Sequence, residues 1–509
     1  MNPVRNNEQN MSNKNMSSGR YLSSISNGMK KTAENGSIML LVIIFGGIFF
    51  MMLTALSGFV IVGNRAQDVS RARAEAFGIA EAGLEYYRWF LSHFPGNTTN
   101  GTGQSGPFVI PYNDPEGGTA GTYTLSIVGN NACGAVQSID VTSKGIPSND
   151  PSVSSTLLAR YAAPSVAAYS YIVGSSVWAG ADRVISGPYH SNGGVRMDGT
   201  VNAPVSSSLS TWNCTSNFGC SPAQSSAPGV VGTGGNQNLW TYPTPQVDFA
   251  GIAANFSTLK STATTSGIYL PQYSSGNIKG AAYKKGYHLI FNSNGTVTVK
   301  RVTSINKLTN VYPVDGSSGY TDDYTKISNE TSYQTYTLPS ECSLIFVEDN
   351  TWVEGIVNGK VTVVAAGVVN TSFKPDIVLR GNIVYASMDG TDGLTVIGAK
   401  NILIAPDSPQ NMTLNGIFVA QSGAFGRNYY YYPSGGCNGT YEPRGTLTIL
   451  GTTVSNLRTG TAWSNGCGSG SNAGYQTRID AFDRQNATNP PPFTPITSTQ
   501  WQFVDWQQK

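Results

Sequence analysis

The side chains that could take part in catalysis are few and widely spaced. The 3 histidines are His93, His190 and His288, and none is spaced to pair with a serine and an aspartate as a hydrolytic triad. Asp182 and Asp198 lie near two consecutive short apolar runs. A pair of carboxylates can cleave a glycosidic bond. Acidic residues in turns are more often simply solvated. We therefore predict no catalytic residues, and a carbohydrate-active enzyme remains an alternative.

The six cysteines could form covalent cross-links. Cys214 and Cys220 enclose a short polar loop, and Cys437 and Cys467 lie in loops rich in glycine, serine and asparagine. We predict a disulfide within each pair. Cys133 and Cys342 then remain, and they either bond to each other or stay free. No C-x-x-C spacing occurs and histidine is scarce, so we predict no zinc site, no other metal site and no cofactor.

One aromatic run could bind a ligand. Tyr429, Tyr430, Tyr431 and Tyr432 follow one another in a glycine- and asparagine-rich stretch. Exposed aromatic side chains hold sugars and protein partners, so this run is a candidate binding loop. The alternative is that the tyrosines are buried against the rest of the protein.

These residues must be positioned by the elements around them, and the most informative element is the uncharged stretch Ser37 to Gly63. As a helix it would be about 40 Å long, which exceeds the roughly 30 Å of a hydrocarbon core. It is also much longer than the apolar region of a secretory signal peptide. Basic residues lie on both sides, but all six cysteines follow it, which favours an oxidising exterior. We predict a single membrane span with a cytoplasmic amino terminus.

The helical pattern continues beyond the membrane segment. Small and apolar residues recur every three or four positions from Val69 to Leu91, with charged residues largely between them, until Pro95 and Gly96 end the pattern. This periodicity predicts one continuous helix, apolar in its first half and amphipathic in its second. A membrane anchor followed by a separate surface helix is the simpler alternative.

Two motifs in this region resemble those of a known family. Lys30 to Ser37 has a charged leader that ends in glycine, followed by a small residue and the apolar helix, as at a prepilin junction. Arg73 to Glu85 contains the run A-F-G-I-A-E-A-G-L-E, which is similar to the signature of PilX-like minor pilins of type IV pilus systems. The resemblance implies cleavage between Gly36 and Ser37 by a prepilin peptidase. It also implies that the helix packs among other pilin subunits and meets the inner-membrane assembly machinery.

The sequence departs from most pilins at one position. The family usually carries a glutamate at the fifth mature residue, where it pairs with the amino terminus of a neighbouring subunit, but this position is Leu41. An unpaired carboxylate in a bilayer costs about 2.5–3.5 kcal/mol. A subunit with no neighbour above it would not need the acid. Leu41 therefore favours a minor or tip-located subunit, whereas outside a pilin it would be an ordinary leucine in an apolar helix.

The remainder of the chain is predicted to be mostly β-structure. Three short alternating runs between residues 121 and 162 predict a small antiparallel sheet. Beyond residue 165, short apolar runs end repeatedly at glycine, for example Val353 to Gly359 and Leu447 to Gly451. Such runs favour a β-helix or solenoid, with a β-sandwich as the alternative. The fold class predicted is α+β: a long amino-terminal transmembrane and amphipathic helix, a pilin-type antiparallel sheet and a large β domain.

The predicted organisation has four parts. They are a cytoplasmic leader (1–36), the helix (37–96), a β head (97–164) and an extracellular solenoid (165–509) with an insertion at about 206–312. The carboxyl-terminal segment, from Tyr475 to Trp506, resembles the closing segment of large pilin-like proteins and is expected to cap the last rung.

Composition limits the function further. Charged residues are 12% of the chain and the net charge is +2, so no nucleic-acid partner is expected. We predict a pilin-like subunit in the cell membrane, and at the pilus surface or tip after assembly. There it would display the β domain for priming of assembly or for adhesion to a surface or glycan ligand. A single-pass surface protein that never enters a filament is the other alternative.

Overall fold

The computed structural model describes residues 37–250, 255–273, 285–317, 319–431, 437–464, 466–467 and 472–509. The chain divides into two compact units, residues 1–70 and residues 71–509. One long helix is followed by a large region of mostly β-structure that includes an antiparallel sheet. The α+β prediction is thus confirmed.

The first unit contains most of helix α1 (Ser37–His93), which is 57 residues long. The side chains from Ile38 to Val62 are exposed, and most of them are apolar. Thr54 and Ser57 donate their hydroxyls to carbonyl oxygens in the preceding turn, so their polar groups are satisfied within the helix. By its length and composition, α1 can cross a membrane.

The second unit begins with the rest of α1 and a five-stranded antiparallel sheet, which we call the head. Its strand order is β1-β2-β3-β4-β32. Three of these strands match the alternating runs in the sequence, and the other two were not predicted. The strands are β1 (Phe108–Asn113), β2 (Thr119–Ala132), β3 (Ala135–Pro147), β4 (Ser155–Ala162) and β32 (Gln502–Gln508).

Between β4 and β32, the described residues form strands of 2 to 17 residues, two α-helices and three 3-10 helices. Its first part contains η1 (Val166–Ala168), β5 (Tyr171–Val173), β6 (Val177–Ala179), β7 (Arg183–Ile185), β8 (Tyr189–Ser191), β9 (Val195–Met197), β10 (Thr200–Val201), β11 (Val205–Ser207), β12 (Thr211–Cys214), η2 (Ser216–Phe218), β13 (Gln224–Pro228), β14 (Val230–Val231), η3 (Gln237–Leu239) and β15 (Trp240–Thr241). Its middle part contains α2 (Phe256–Ser266), β16 (Ile268–Leu270), β17 (Gly286–Asn292), β18 (Thr296–Tyr312), β19 (Thr321–Thr337), β20 (Leu344–Val347), β21 (Asn350–Val357) and β22 (Lys360–Ala365). Its last part contains β23 (Ile377–Tyr385), β24 (Gly393–Gly398), β25 (Ile402–Ile404), β26 (Met412–Ala420), β27 (Phe425–Gly426), β28 (Tyr429–Tyr430), β29 (Arg444–Ser455), β30 (Ala462–Trp463), β31 (Ala473–Ala481) and α3 (Arg484–Thr488).

Most of these strands pair in parallel with a strand from another turn of the chain, so that each turn forms one rung of a stack. We call the region between β4 and β32 the stacked region, or the stack. One ladder runs through β20, β22, β24, β26 and β29, and a second runs through β17, β21, β23 and β25. Apolar side chains from both ladders form one large buried core, with fully buried members such as Leu289, Val363 and Leu414. No rung could bury its apolar row alone, so the stack is stabilised by its neighbours.

The order of the rungs differs from the order of the chain. β5 pairs in parallel with β29, and β7 pairs with β31. Residues 171–241 therefore extend one end of the stack, while β16 and β17 form part of the other end. The predicted single insertion at about 206–312 is wrong, because β11, β15, β16 and β17 all belong to the ladders.

The carboxyl-terminal segment also differs from the prediction. β31 lies within the stack, between β29 and β7, and does not cap a last rung. β32 leaves the stack and pairs antiparallel with β4 of the head. The stacked region is therefore inserted between two strands of the head sheet.

One long hairpin is formed by β18 and β19. Its first part pairs with β17 and contributes Val297 and Val299 to the large core, and the rest runs along the side of the stack. Val302, Ile305 and Ile327 of the hairpin pack against a small cluster of stack residues, Trp352, Val378 and Ala405. The far end of β18 pairs antiparallel with β28. The hairpin therefore crosses several successive rungs.

Candidate functional site

The amphipathic half of α1 packs on the head through small residues. Ala76 and Ala80 are fully buried, and they face Gly145 of β3. A Cβ atom on Gly145 would lie 2.5 Å from the Ala80 nitrogen, which is closer than two such atoms can approach. Gly83 lies in the same face, against Ser143 of β3 and Tyr123 of β2. The small residues of the A-E-A-G-L-E run thus allow the helix to approach the sheet closely.

The candidate processing and pairing positions are near the start of α1. Gly36 lies outside the described residues, and Ser37 is the first residue of the helix. Leu41 has 54% of its surface exposed among equally exposed apolar neighbours. No charged side chain lies in the helix between Ser37 and Gly63.

All six cysteines are paired in the structure. Cys214 is bonded to Cys220, and Cys437 is bonded to Cys467. Cys133 is bonded to Cys342, 209 residues away, and the Cys133 amide also donates to the Glu341 carbonyl at 2.8 Å. The third pair, which the sequence left open, cross-links the head to the stacked region.

The tyrosine run is mainly buried. Tyr429 and Tyr430 form β28, and they are 8% and 2% exposed because the end of the hairpin pairs with them. The Tyr430 hydroxyl donates to Asp323 of β19 at 2.9 Å. Tyr431 is half-buried, and Tyr432 lies outside the described residues. The idea of an exposed binding loop is therefore corrected for Tyr429 and Tyr430, which instead anchor the hairpin.

The two aspartates considered for glycoside cleavage are each held by an arginine. Asp182 accepts two hydrogen bonds of 2.6 Å from Arg478, and Asp198 accepts one of 2.7 Å from Arg196. Burial alone would raise the pKa of both carboxyls. Arg478 nevertheless holds the pKa of Asp182 below its usual value, and Arg196, together with hydrogen bonds from Thr233 and Trp178, holds the pKa of Asp198 below its usual value. A general acid needs a raised pKa, so this environment does not suit such a role.

The structure contains a cleft that sequence reasoning missed. It lies between the hairpin and the turns that precede successive stack strands, with a volume of about 740 Å³. Tyr324 lies in the hairpin wall, and Phe373, Lys374, Lys400 and Asn401 lie in the opposite wall. The available signal was an Asn or Asp before each apolar run, at 350, 376 and 401, although its meaning depends on how the rungs stack.

Comparisons with known proteins give little further guidance. No protein-family model and no curated protein sequence matches the chain. Among solved structures, the chain is similar to the competence-associated pilin ComZ from Thermus thermophilus. The identity is 12%, over 86% of this chain and 97% of that chain, with a TM-score of 0.27. A similarity at this level carries no argument about fold or function.

Proposed function

We propose that the protein is a type IV pilin-like subunit. In this proposal α1 holds the precursor in the cell membrane, with its amino terminus in the cytoplasm, and later packs among the helices of other subunits. A prepilin peptidase removes the segment up to Gly36, and the inner-membrane assembly machinery moves the mature chain from the bilayer into a filament. The head and the stacked region are then displayed outside the cell for priming of assembly or for adhesion.

The observation that carries the proposal is the change in surroundings along one continuous helix. From Ile38 to Val62 its apolar side chains are exposed, whereas from Ala72 onward one face is buried against the head. An apolar rod of this length needs either lipid or other apolar helices around it. The resemblance of Lys30 to Ser37 and of Arg73 to Glu85 to pilin motifs supports the filament as its second environment.

Leu41 supports a minor or tip-located subunit over a shaft subunit. The end subunit of a filament has no neighbour above it to supply a positively charged amino terminus. A glutamate at this position would there remain unpaired in an apolar environment, which is costly. A leucine carries no such cost.

The stacked region supports display rather than catalysis. The hairpin packs across several rungs, and two disulfides close loops within the region. Both candidate catalytic aspartates are engaged by arginines. Its insertion within the head sheet, together with the Cys133–Cys342 bond, joins it firmly to the anchored part. These features suit a domain carried at the end of an anchor.

Processing provides the first test. The full chain is expressed with and without a prepilin peptidase, and the amino terminus is identified by mass spectrometry. We expect a mature chain that begins at Ser37 only when the peptidase is present, and an uncleaved chain for Gly36→Leu. An intact amino terminus in the unsubstituted protein would reject the pilin proposal and favour a static single-pass surface protein.

Position in the filament provides the second test. If the subunit lies at the tip, Leu41→Glu should lower its abundance in purified filaments, because the new carboxylate has no partner. Leu41→Ile, which stays apolar, should have no effect. If Leu41→Glu enters filaments as well as or better than the unsubstituted chain, the tip location is wrong and a shaft position is favoured.

A further inference from the structure

We propose that the cleft between the hairpin and the rung turns binds a neutral oligosaccharide, laid along the stack. The inference rests on the proposed function, since display outside the cell would bring this cleft to such a ligand. It gives the displayed domain a specific site in place of the tyrosine run, two members of which are buried.

The shape of the cleft suits a chain-like ligand. Its volume of about 740 Å³ lies within the range of roughly 300–1,000 Å³ that is typical of ligand sites. One wall is the hairpin, whose apolar residues contact β21, β23 and the end of β25. The other wall is formed by the turns before those strands. Because neighbouring rungs lie about 4.8 Å apart, the cleft extends along the axis of the stack.

The wall opposite the hairpin is held in place by a ladder of hydrogen bonds that involve amide and carboxylate side chains. The Asn350 side-chain oxygen accepts from the Asp376 amide at 3.0 Å, and Asp376 accepts from the Asn401 side chain at 2.9 Å. The Asn401 side-chain oxygen then accepts from the Ala424 amide at 3.0 Å. A ladder that links four rungs fixes the wall before any ligand arrives, which lowers the cost of binding.

The charges of the cleft are of both signs and do not favour a charged polymer. Four aspartates line the cleft. Asp322 pairs with Lys307 at 2.8 Å, and Asp323 is buried and accepts from Asn428 and Tyr430. Asp315 accepts from the Ser317 amide, and Asp376 accepts from Asn401. On the opposite wall, Lys374 and Lys400 are exposed. Neither lysine forms an ion pair with any residue that the structure describes. The lining therefore carries both signs of charge, and each of its four aspartates already has a partner within the protein.

A sugar chain matches this combination. Each sugar hydroxyl can both donate and accept, so it can accept from the lysines and from the Asn401 amide. It can also donate to the hydroxyl oxygens of Ser372 and Ser422, whose own hydrogens are donated to Asn370 and to the Ala399 carbonyl. Sugar rings also present apolar C–H faces, and the aromatic residues Tyr324 and Phe373 are among those that line the two walls. Aromatic side chains supply apolar contact area with little loss of side-chain entropy. A polyanion would instead meet the aspartates of this cleft.

The test uses the full chain in a detergent without a sugar headgroup. Binding of three neutral hexasaccharides (maltohexaose, cellohexaose and chitohexaose) is measured by titration calorimetry, with hexagalacturonate as the acidic comparison. We expect at least one neutral chain to bind more tightly than hexagalacturonate. Phe373→Ala should weaken that binding about tenfold. Tyr242→Ala, which removes an exposed aromatic ring outside the cleft, should leave binding unchanged.

A second variant protects the test against misfolding. Lys400→Ala removes an exposed side chain, so it should keep the thermal unfolding midpoint while weakening binding several-fold. The proposal is overturned if no neutral chain binds, if hexagalacturonate binds more tightly, or if both cleft variants bind like the unsubstituted protein. Binding with no cleavage at Gly36 would reject only the pilin proposal, whereas cleavage and filament entry without binding would reject only this one.

Discussion

Gly83 of α1 lies against the ring of Tyr123 in β2, so closely that an added Cβ atom would be 2.9 Å from the Tyr123 Cδ2 atom. Five residues earlier, Gly78 lies on the exposed face of the same helix, with no atom within 4 Å of such a Cβ. The two glycines belong to one sequence motif but have different surroundings. Only Gly83 is required by the packing of the helix on the head.

This difference predicts opposite effects for the same substitution. In Gly83→Ala, overpacking should cost about 1–3 kcal/mol. The higher helix propensity of alanine should offset up to about 1 kcal/mol of this cost, so we expect a net loss of stability. Gly78→Ala should retain that gain and raise stability. Thermal unfolding of both variants, followed by circular dichroism, tests this. An added Cβ atom on Gly83 would lie even closer to the Ser143 hydroxyl than to Tyr123, so equal changes in the two midpoints would show that the close contacts with Ser143 and Tyr123 are unimportant.

The Cys133–Cys342 disulfide should contribute more to stability than the Cys214–Cys220 disulfide, which closes the smallest loop. It joins residues 209 apart, whereas Cys214 and Cys220 are 6 apart, and a longer loop loses more entropy in the unfolded chain when it is closed. Replacing Cys133 and Cys342 together with alanine should cost about 2–5 kcal/mol and expose the head to limited proteolysis.

The control is Cys214→Ala with Cys220→Ala, for which a smaller loss is expected. If both double variants unfold at the same temperature and are cleaved at the same rate, the link between head and stack contributes nothing beyond an ordinary disulfide.

A buried ion pair holds β31 against β7. Asp480 accepts from Arg183 at 3.0 Å and from the Tyr171 hydroxyl at 3.0 Å, and both charged groups are almost fully buried. Asp480→Asn would leave the Arg183 charge buried without its counter-charge, so we expect a loss of about 3–5 kcal/mol. Chemical denaturation provides the measurement.

The exposed pair of Glu85 and Arg88 on α1 gives a matched control. Glu85→Gln should change stability by less than about 0.5 kcal/mol, because water already solvates both groups. A small effect of Asp480→Asn would mean that the arginine finds solvent or another acceptor when the carboxylate is removed.

The lowered pKa of Lys360 predicts a specific dependence of protein stability on pH. Burial, together with repulsion from Arg160, lowers its pKa from 10.5 to about 8. Between pH 8 and 10.5 the lysine binds more protons in the unfolded chain than in the folded chain. The free energy of unfolding therefore rises with pH across this range. Below pH 8 the Lys360 amine is protonated in both states, and the cost of burying its charge lowers the stability of the folded state by a constant amount.

The measurement compares the unsubstituted protein with Lys360→Met from pH 7 to pH 10. The stability of the unsubstituted protein relative to the variant should rise across the upper part of this range. Lys144→Met, at an exposed lysine of the head, should follow the unsubstituted protein throughout. Parallel curves for Lys360→Met would contradict the lowered pKa.

The sequence by itself determined the helix and the general class of the fold. An uncharged run followed by a periodic small-residue face specifies one long helix, because both features depend on residues close together in the chain. The alternating runs of the head and the glycine-bounded runs beyond residue 165 indicated strands for the same reason. The pairing of Cys133 with Cys342 was one of two possibilities left open.

Only the tertiary structure decided which strands are neighbours. Backbone hydrogen bonds are alike for every strand, so the pattern of side chains around β5 does not indicate that it pairs with β29, almost 300 residues later. The return of β32 to the head and the burial of Tyr429 and Tyr430 under the hairpin follow from the same long-range pairing. The cleft also depends on it, because its two walls come from segments that meet only after the rungs have stacked.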